Sequence, residues 1–278
     1  MHIGIMAKTY VRSTLEEVLD EIIDQGIYSV QFSLSCAGLP ELPERIDTEL
    51  ADKINQEMGN RGIEMAAVCG LYNMIHPDPD RRREGLRRLD VLAASCERLG
   101  TSVIALCTGT RDPDNMWRRH PGNDSSEAWQ DLVDSMHEVL EIARRYRITF
   151  AFEPEVSNVV DSAEKGRRLL DEMDSPHLKV VMDPANIFHR GELPYMREKI
   201  DEAFALLGND TVLAHAKDLD RDGEAGHLAA GEGLLDYDHY LSLLNAVDLD
   251  VPLILHGLEE GQVGGCVAFL NRKMALLG

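Results

Sequence analysis

At 278 residues the chain suits one barrel-sized domain or two small ones. Apolar residues make up 44% of it, yet no apolar run reaches the roughly 18 residues that a membrane helix needs, so no membrane partner is expected. A formal net charge of −21 repels phosphate backbones and anionic lipid, which argues against nucleic acid as well.

Short apolar runs alternate with longer amphipathic ones along the whole chain. His2–Met6 is followed by helical periodicity over Leu15–Asp24, Tyr28–Ser33 by Thr48–Asn60, Ile63–Val68 by Asp80–Leu99, and Ser102–Cys107 by Ser126–Arg145. The second half repeats the pattern: Ile148–Glu153 with Ala163–Met173, Leu178–Asp183 with Pro194–Leu207, Thr211–His215 with Tyr237–Leu244, and Val251–His256 with Gly265–Leu276. The short runs are nearly free of internal charge, as parallel strands buried on both faces should be. Ser13 with Glu16 reads as a capping box, Asp47 and Ser125 as helix caps, and Gly26, Gly62 and Gly100 as helix stops.

Eight strand–helix repeats predict an α/β fold, a single (β/α)8 TIM barrel over residues 1–278. An open doubly wound sheet would want a glycine-rich phosphate turn after an early strand, and none is present. The longer connections, Cys69–Pro79, Thr108–Asp124 and Ala216–Asp236, all follow strands, on the face where barrels do chemistry. The five cysteines, Cys36, Cys69, Cys96, Cys107 and Cys266, are odd in number and lack CxxC spacing, so reduced thiols are expected. The N-terminus reads as a strand with no cleavable signal, so the expected location is cytoplasmic.

The last four strands end alike. Each carries about four mostly apolar residues and then a polar one: Glu153, Asp183, His215 and His256. Aligned at the C-terminal mouth, two carboxylates and two imidazoles form a ligand set for one divalent ion. Mixed oxygen and nitrogen donors admit Mn2+, the first choice, and also Co2+, Mg2+, Zn2+ or Fe2+.

Several motifs extend this pattern. They are Phe-Glu-Pro-Glu at Glu153, Val-Met-Asp-Pro-Ala-Asn at Asp183, Ala-His-Ala-Lys-Asp at His215, and Gly231-Glu232-Gly233-Leu234-Leu235-Asp236. In order and spacing they resemble the xylose-isomerase-like barrel family of sugar isomerases and epimerases, which also includes DNA-repair endonucleases. The resemblance implies a metal held by residues on the second half of the barrel, and often a dimer or tetramer. It also implies two glutamates that exchange a substrate proton from opposite faces. Two positions depart from the family. Asn186 stands where a substrate-touching His is common, with His189 further along the loop, and His256 stands where the fourth ligand is usually Glu. Glu259 or Glu260 would have to fold back to restore the second glutamate; Glu260 is taken as that second catalytic carboxylate beside Glu153.

A divalent ion polarises a carbonyl and its neighbouring hydroxyl, and a carboxylate such as Glu153 or Glu155 then moves the proton between them. The expected activity is therefore a metal-dependent isomerase or epimerase of a small sugar or polyol derivative, working through an enediol(ate). The alternative is a lyase or dehydratase acting on a keto-sugar or cyclic polyol at the same site. An endonuclease would want more ligands and a basic groove, and a sugar-binding subunit without catalysis is a further reading. Substrate contacts are expected from His76, Arg111, Trp117, Glu155, Asn186, His189, Lys217 and His227, with Arg118, Arg119 and His120 crowding the same loop as Trp117. Lys8 ends the first strand, and Gln31 faces inward from the second by alternation.

Overall fold

The computed structural model describes residues 1–247 and 250–277; Asp248, Leu249 and Gly278 of the expected 1–278 unit lie outside the described residues. Seven parallel strands follow in chain order: β1 His2–Met6, β2 Ser29–Phe32, β3 Glu64–Cys69, β4 Val103–Cys107, β5 Thr149–Glu153, β6 Leu178–Met182 and β7 Thr211–Asp218. A two-residue strand, β8 Leu228–Ala229, pairs antiparallel with the end of β7. The eighth barrel strand, β9 Pro252–Leu255, lies between β7 and β1, and the β6–β7 pairing completes the ring. The result is the closed eight-stranded parallel barrel that the repeats predict.

Helices α1 Leu15–Asp24, α2 Thr48–Arg61, α3 Pro79–Leu99, α4 Ser126–Tyr146, α5 Ala163–Met173, α6 Met196–Leu207, α7 Tyr237–Ala246 and α8 Val263–Met274 follow the strands. None among the described residues is long and apolar enough to cross a membrane. Their apolar faces pack on the outward side chains of the strands in one large cluster. The five cysteines are free thiols.

Inside the ring sits a second, smaller cluster: Met6, Ala67, Cys69, Ala105, Ala151, Val181, Leu213 and Ile254. Alternation along each strand sends every second side chain to this interior. Several are small because the ring is narrow. Gly4 shows the limit: a Cβ there would lie 2.5 Å from Ile254 Cδ1 and 2.9 Å from the Ser29 carbonyl oxygen.

Three local expectations need correction. The capping box of α1 is one residue further on: Thr14 accepts from the Glu17 N–H at 3.2 Å, while Glu17 accepts from the Ser13 and Thr14 N–H groups. Asp47 occupies the N-cap of α2 but makes no capping bond, because Arg45 holds its carboxylate. The seventh strand runs three residues past His215, to Asp218, because Lys217 and Asp218 pair with Ala229 and Leu228. By contrast Ser125 caps α4 as read, and Gly62 and Gly100 end α2 and α3 in the left-handed conformation.

The β7–α7 connection is built on Asp218, which is buried and accepts from the backbone of Leu219, Gly231 and Leu235 at 2.9–3.0 Å. A Cβ at Gly233 would collide with that carboxylate, which explains a glycine there.

Gly4→Ala should destabilise the protein by about 1–3 kcal/mol through overpacking of the barrel interior. Urea denaturation followed by far-ultraviolet circular dichroism measures this, and unchanged stability would mean the interior has slack beneath the site.

Candidate metal centre and its cavity

The four strand-end residues each lie two positions beyond an interior side chain: Glu153 after Ala151, Asp183 after Val181, His215 after Leu213 and His256 after Ile254. A step of two returns the chain to the same face, so the four form the polar layer capping the apolar interior. Ligand atoms of Asp183, His215 and His256 lie within 4.8 Å of one another. Glu153 borders this trio, its Oε2 being 3.5 Å from His215 Nδ1; Asp183 Oδ2 is also 3.5 Å from that nitrogen.

The donor set fits a divalent cation. His215 presents its Nε2 to Gln31 Oε1 at 2.8 Å, so in the neutral ring Nε2 carries the proton and Nδ1 keeps its lone pair. That Nδ1 is buried without a hydrogen-bond partner among the described residues, and so is Nδ1 of His256. Two orphaned imidazole nitrogens beside two carboxylates are costly unless a cation or proton joins them. The two rings meet edge to face, with centroids 4.8 Å apart.

Electrostatics tell the same story. Burial alone would lower the pKa of His215, but Glu153 and Asp183 outweigh it and raise it to about 9. A proton on His215 thus supplies the positive charge that the carboxylates demand when no metal is there. Burial, reinforced by Lys217 and His215, pushes His256 well below the usual imidazole range, so it is a neutral imidazole, the form that could hold a cation. Burial would raise the Asp183 carboxyl, but Lys217 and His215 hold it well below its ordinary value. Asp183 also accepts from the Ala185 N–H at 3.1 Å and from Asn186 Nδ2 at 3.1 Å, and Lys217 Nζ is 3.4 Å away.

A cavity of about 260 Å3 stands over this layer. Of the expected substrate contacts, Trp117, Glu155, Asn186 and Lys217 line it, along with Lys8, Gln31 and Cys107. Asn186, in the position where a His was expected from the resemblance, donates to both Glu153 and Asp183. Glu155 is buried, accepting from the Ser157 N–H at 2.8 Å and from Asn158 Nδ2 at 2.5 Å. Burial, with Glu153 nearby, raises its pKa.

Five other expected residues do not line this cavity. Glu260 does not fold back: Arg12 holds it in a bidentate pair at the surface, outside the cavity lining. His76 anchors a loop, with Nδ1 accepting from Asp78 N–H at 3.0 Å and Nε2 on the Pro113 carbonyl at 3.1 Å. Arg111 donates to the Ile75 carbonyl and pairs with Asp131. His189 lines a separate hollow with Ser162 and Glu202, and His227 is bonded to Asp220 at 2.9 Å.

Residues not singled out from the sequence hold the loop over the cavity. Buried Asp112 accepts from the Asp114 and Asn115 N–H groups and pairs with Arg118. Buried Asp161 binds Arg119 and Lys165, each at 3.0 Å. Asn123 ties Arg111 N–H to the Ser157 carbonyl. Short polar residues in a long loop carry no periodicity, so only their burial in the fold reveals them.

Among solved structures, the apo 3-keto-D-glucoside 4-epimerase YcjR of E. coli shares 16% identity and a TM-score of 0.75, with 98% of this chain and 99% of that one covered. The probable 3-DHS dehydratase AsbF of Bacillus anthracis shares 15% and 0.74, over 98% and 99%. A Mycobacterium smegmatis xylose isomerase-like barrel protein in complex with magnesium shares 13% and 0.75, over 100% and 97%. At such identities the likeness is one of fold. A sequence model of the xylose isomerase-like TIM barrel matches residues 19–264. With that match running from α1 into α8, and the barrel closed as the family's is, the chain belongs to the xylose isomerase-like TIM barrel family.

Proposed function

We propose that the protein is a divalent-metal-dependent isomerase of a small sugar or polyol derivative, with Glu153 as its base. The observation that carries this reading is the pair of orphaned imidazole nitrogens set against two carboxylates at the barrel mouth. Asp183, His215, His256 and Glu153 would hold the ion, with Mn2+ the first candidate. When bound, it supplies polarisation of a carbonyl and the adjacent hydroxyl, which acidifies the C–H between them. A 3-keto-D-glucoside 4-epimerase and a probable 3-DHS dehydratase among the structural relatives are consistent with this substrate class.

The chain's own groups then divide the work. Glu153 accepts the proton from carbon, exchanges it with solvent and delivers a proton to the neighbouring carbon, through an enediol whose hydroxyl and former carbonyl oxygens trade one proton. Asn186 orients that carboxylate by donating to it. Lys217, kept charged although burial opposes it because Asp183, Glu153 and Glu155 surround it, is a donor to a substrate oxygen. Trp117 and Leu71 wall the cavity and limit water.

Both carboxylates lining the cavity, Glu153 and Glu155, come from the end of β5. Two-carboxylate epimerisation needs a second one on the opposite face, and Glu260 is engaged with Arg12. One-sided transfer favours isomerisation. A dehydratase is the second reading, favoured by Glu155: a carboxyl whose pKa burial raises can protonate a departing hydroxyl two residues from the base.

The protein should bind about one Mn2+ per chain through this mixed donor set. Asp183→Ala and His256→Ala should lose most of it, measured by calorimetry, while Glu259→Ala and Glu260→Ala should bind normally. Gln31→Leu, which frees the His215 ring without removing a ligand, should weaken binding roughly 10–100-fold. Full retention in Asp183→Ala and His256→Ala would remove the assignment.

Turnover of a true substrate in heavy water should place deuterium on the carbon next to the carbonyl, and Glu153→Gln should abolish that exchange while the protein stays folded. Transfer of the original hydrogen with no solvent label would exclude Glu153 as the base.

A further inference from the structure

The cavity over the metal ligands, about 260 Å3, is a little smaller than the roughly 300–1,000 Å3 of pockets that enclose drug-sized ligands, so it suits one small ring. A second hollow of about 660 Å3 opens beside it, and Met6, Lys8 and His256 line both. The reaction proposed above uses nothing in this second hollow.

Its lining has a definite chemistry. Leu228, Ala229 and Leu258 contribute apolar surface. Glu232, Glu259, Gln262 and His227 contribute hydrogen-bonding groups. Gln262 donates to Glu232 at 2.7 Å, so this part of the wall is set without a ligand. His227 has Nε2 on Asp220 at 2.9 Å, while its Nδ1 has no partner among the described residues. Gly257, directly after His256, lines the second hollow. Its φ is 67°, and a Cβ there would lie 2.7 Å from Lys217 Cδ, a side chain that lines the first cavity, so the position beside that wall takes a residue without a side chain.

We propose that the second hollow is a subsite for a second sugar ring, so that the substrate is a glycosylated ketose in preference to a free monosaccharide. This rests on the sugar-isomerase reading. A sugar ring offers an apolar C–H face and a rim of hydroxyls, which matches a leucine and alanine surface bordered by carboxylates, an amide and an imidazole. Two carboxylates against Lys8, itself paired with Glu41 at 2.7 Å, disfavour a phosphate or carboxylate extension. The shared wall of Lys8 and His256 places the second ring next to the one that reacts.

The test is calorimetric binding of D-fructose and of its glucosylated forms turanose, maltulose and isomaltulose to the full-length protein with Mn2+ added. At least one disaccharide should bind about tenfold tighter than fructose, equal to about 1.4 kcal/mol. Leu258→Trp and Gln262→Trp, each checked for folding by circular dichroism, should bring that ratio back toward one. If all three disaccharides bind no tighter than fructose, or fail to bind, the subsite is overturned. It is also overturned if the gain survives in both tryptophan variants. Deuterium exchange in heavy water separates the two readings: exchange without a disaccharide gain removes the subsite alone, and a gain without exchange removes the isomerase reading alone.

Discussion

The Asp183 carboxylate is wholly shielded from water at the top of a closed barrel, and the mouth is arranged around that one buried charge. A carboxylate so placed must be compensated by hydrogen bonds and opposite charge. The chain answers with the Ala185 N–H, Asn186, Lys217 and His215. Each of these makes a further demand. Lys217 needs more than one carboxylate to stay charged under burial, and Glu153 and Glu155 supply it. His215 needs its second nitrogen fixed, and Gln31 fixes it from across the barrel.

This explains how much could be read from the sequence. The barrel and the four strand ends were legible because both follow from a period of two: apolar residues inside, then a polar residue at the next inward position. Ala151–Glu153 and Val181–Asp183 carry that signal within three letters. Asn186 was legible as a substitution, though not its double bond to Glu153 and Asp183. The place of Glu260 depends on Arg12, 248 residues away in sequence, which no local pattern reports. His76 and Arg111 are likewise set by partners that are backbone atoms of neighbouring loops, the Pro113 and Ile75 carbonyls. A polar residue on a βα loop serves either substrate or scaffold, and only its partners decide which.

The scaffold role is extensive on this face. Asp112 with Arg118, and Asp161 with Arg119 and Lys165, hold the loop that carries Trp117 to the cavity. Arg119 also donates to the Val156 carbonyl, joining the connection after β4 to the one after β5. The arginines that crowd this loop in the sequence are engaged in fixing the loop itself. That leaves Trp117, half-exposed, as the part of the loop that lines the cavity.

Replacing the usual strand-end glutamate by His256 has a consequence for charge as well as for proton transfer. A second glutamate would add a third carboxylate to a centre that already holds Asp183 and Glu153. An imidazole adds none, and burial together with Lys217 and His215 keeps it neutral. On the proposed reading the ligand set carries two negative charges, which a single divalent ion would balance without help from a proton. Without a metal, Glu153 and Asp183 favour a proton on His215, so a proton and the proposed ion would compete for the same side of the ring. With charge balance met by that ion, Lys217 would keep its positive charge directed at Asp183 and the cavity, where a substrate oxygen that gains negative character would lie. With the roles proposed here, one carboxylate base, one ammonium donor and a neutral imidazole would make a centre suited to moving a proton along one face of a substrate, and poorly suited to passing it through to the other.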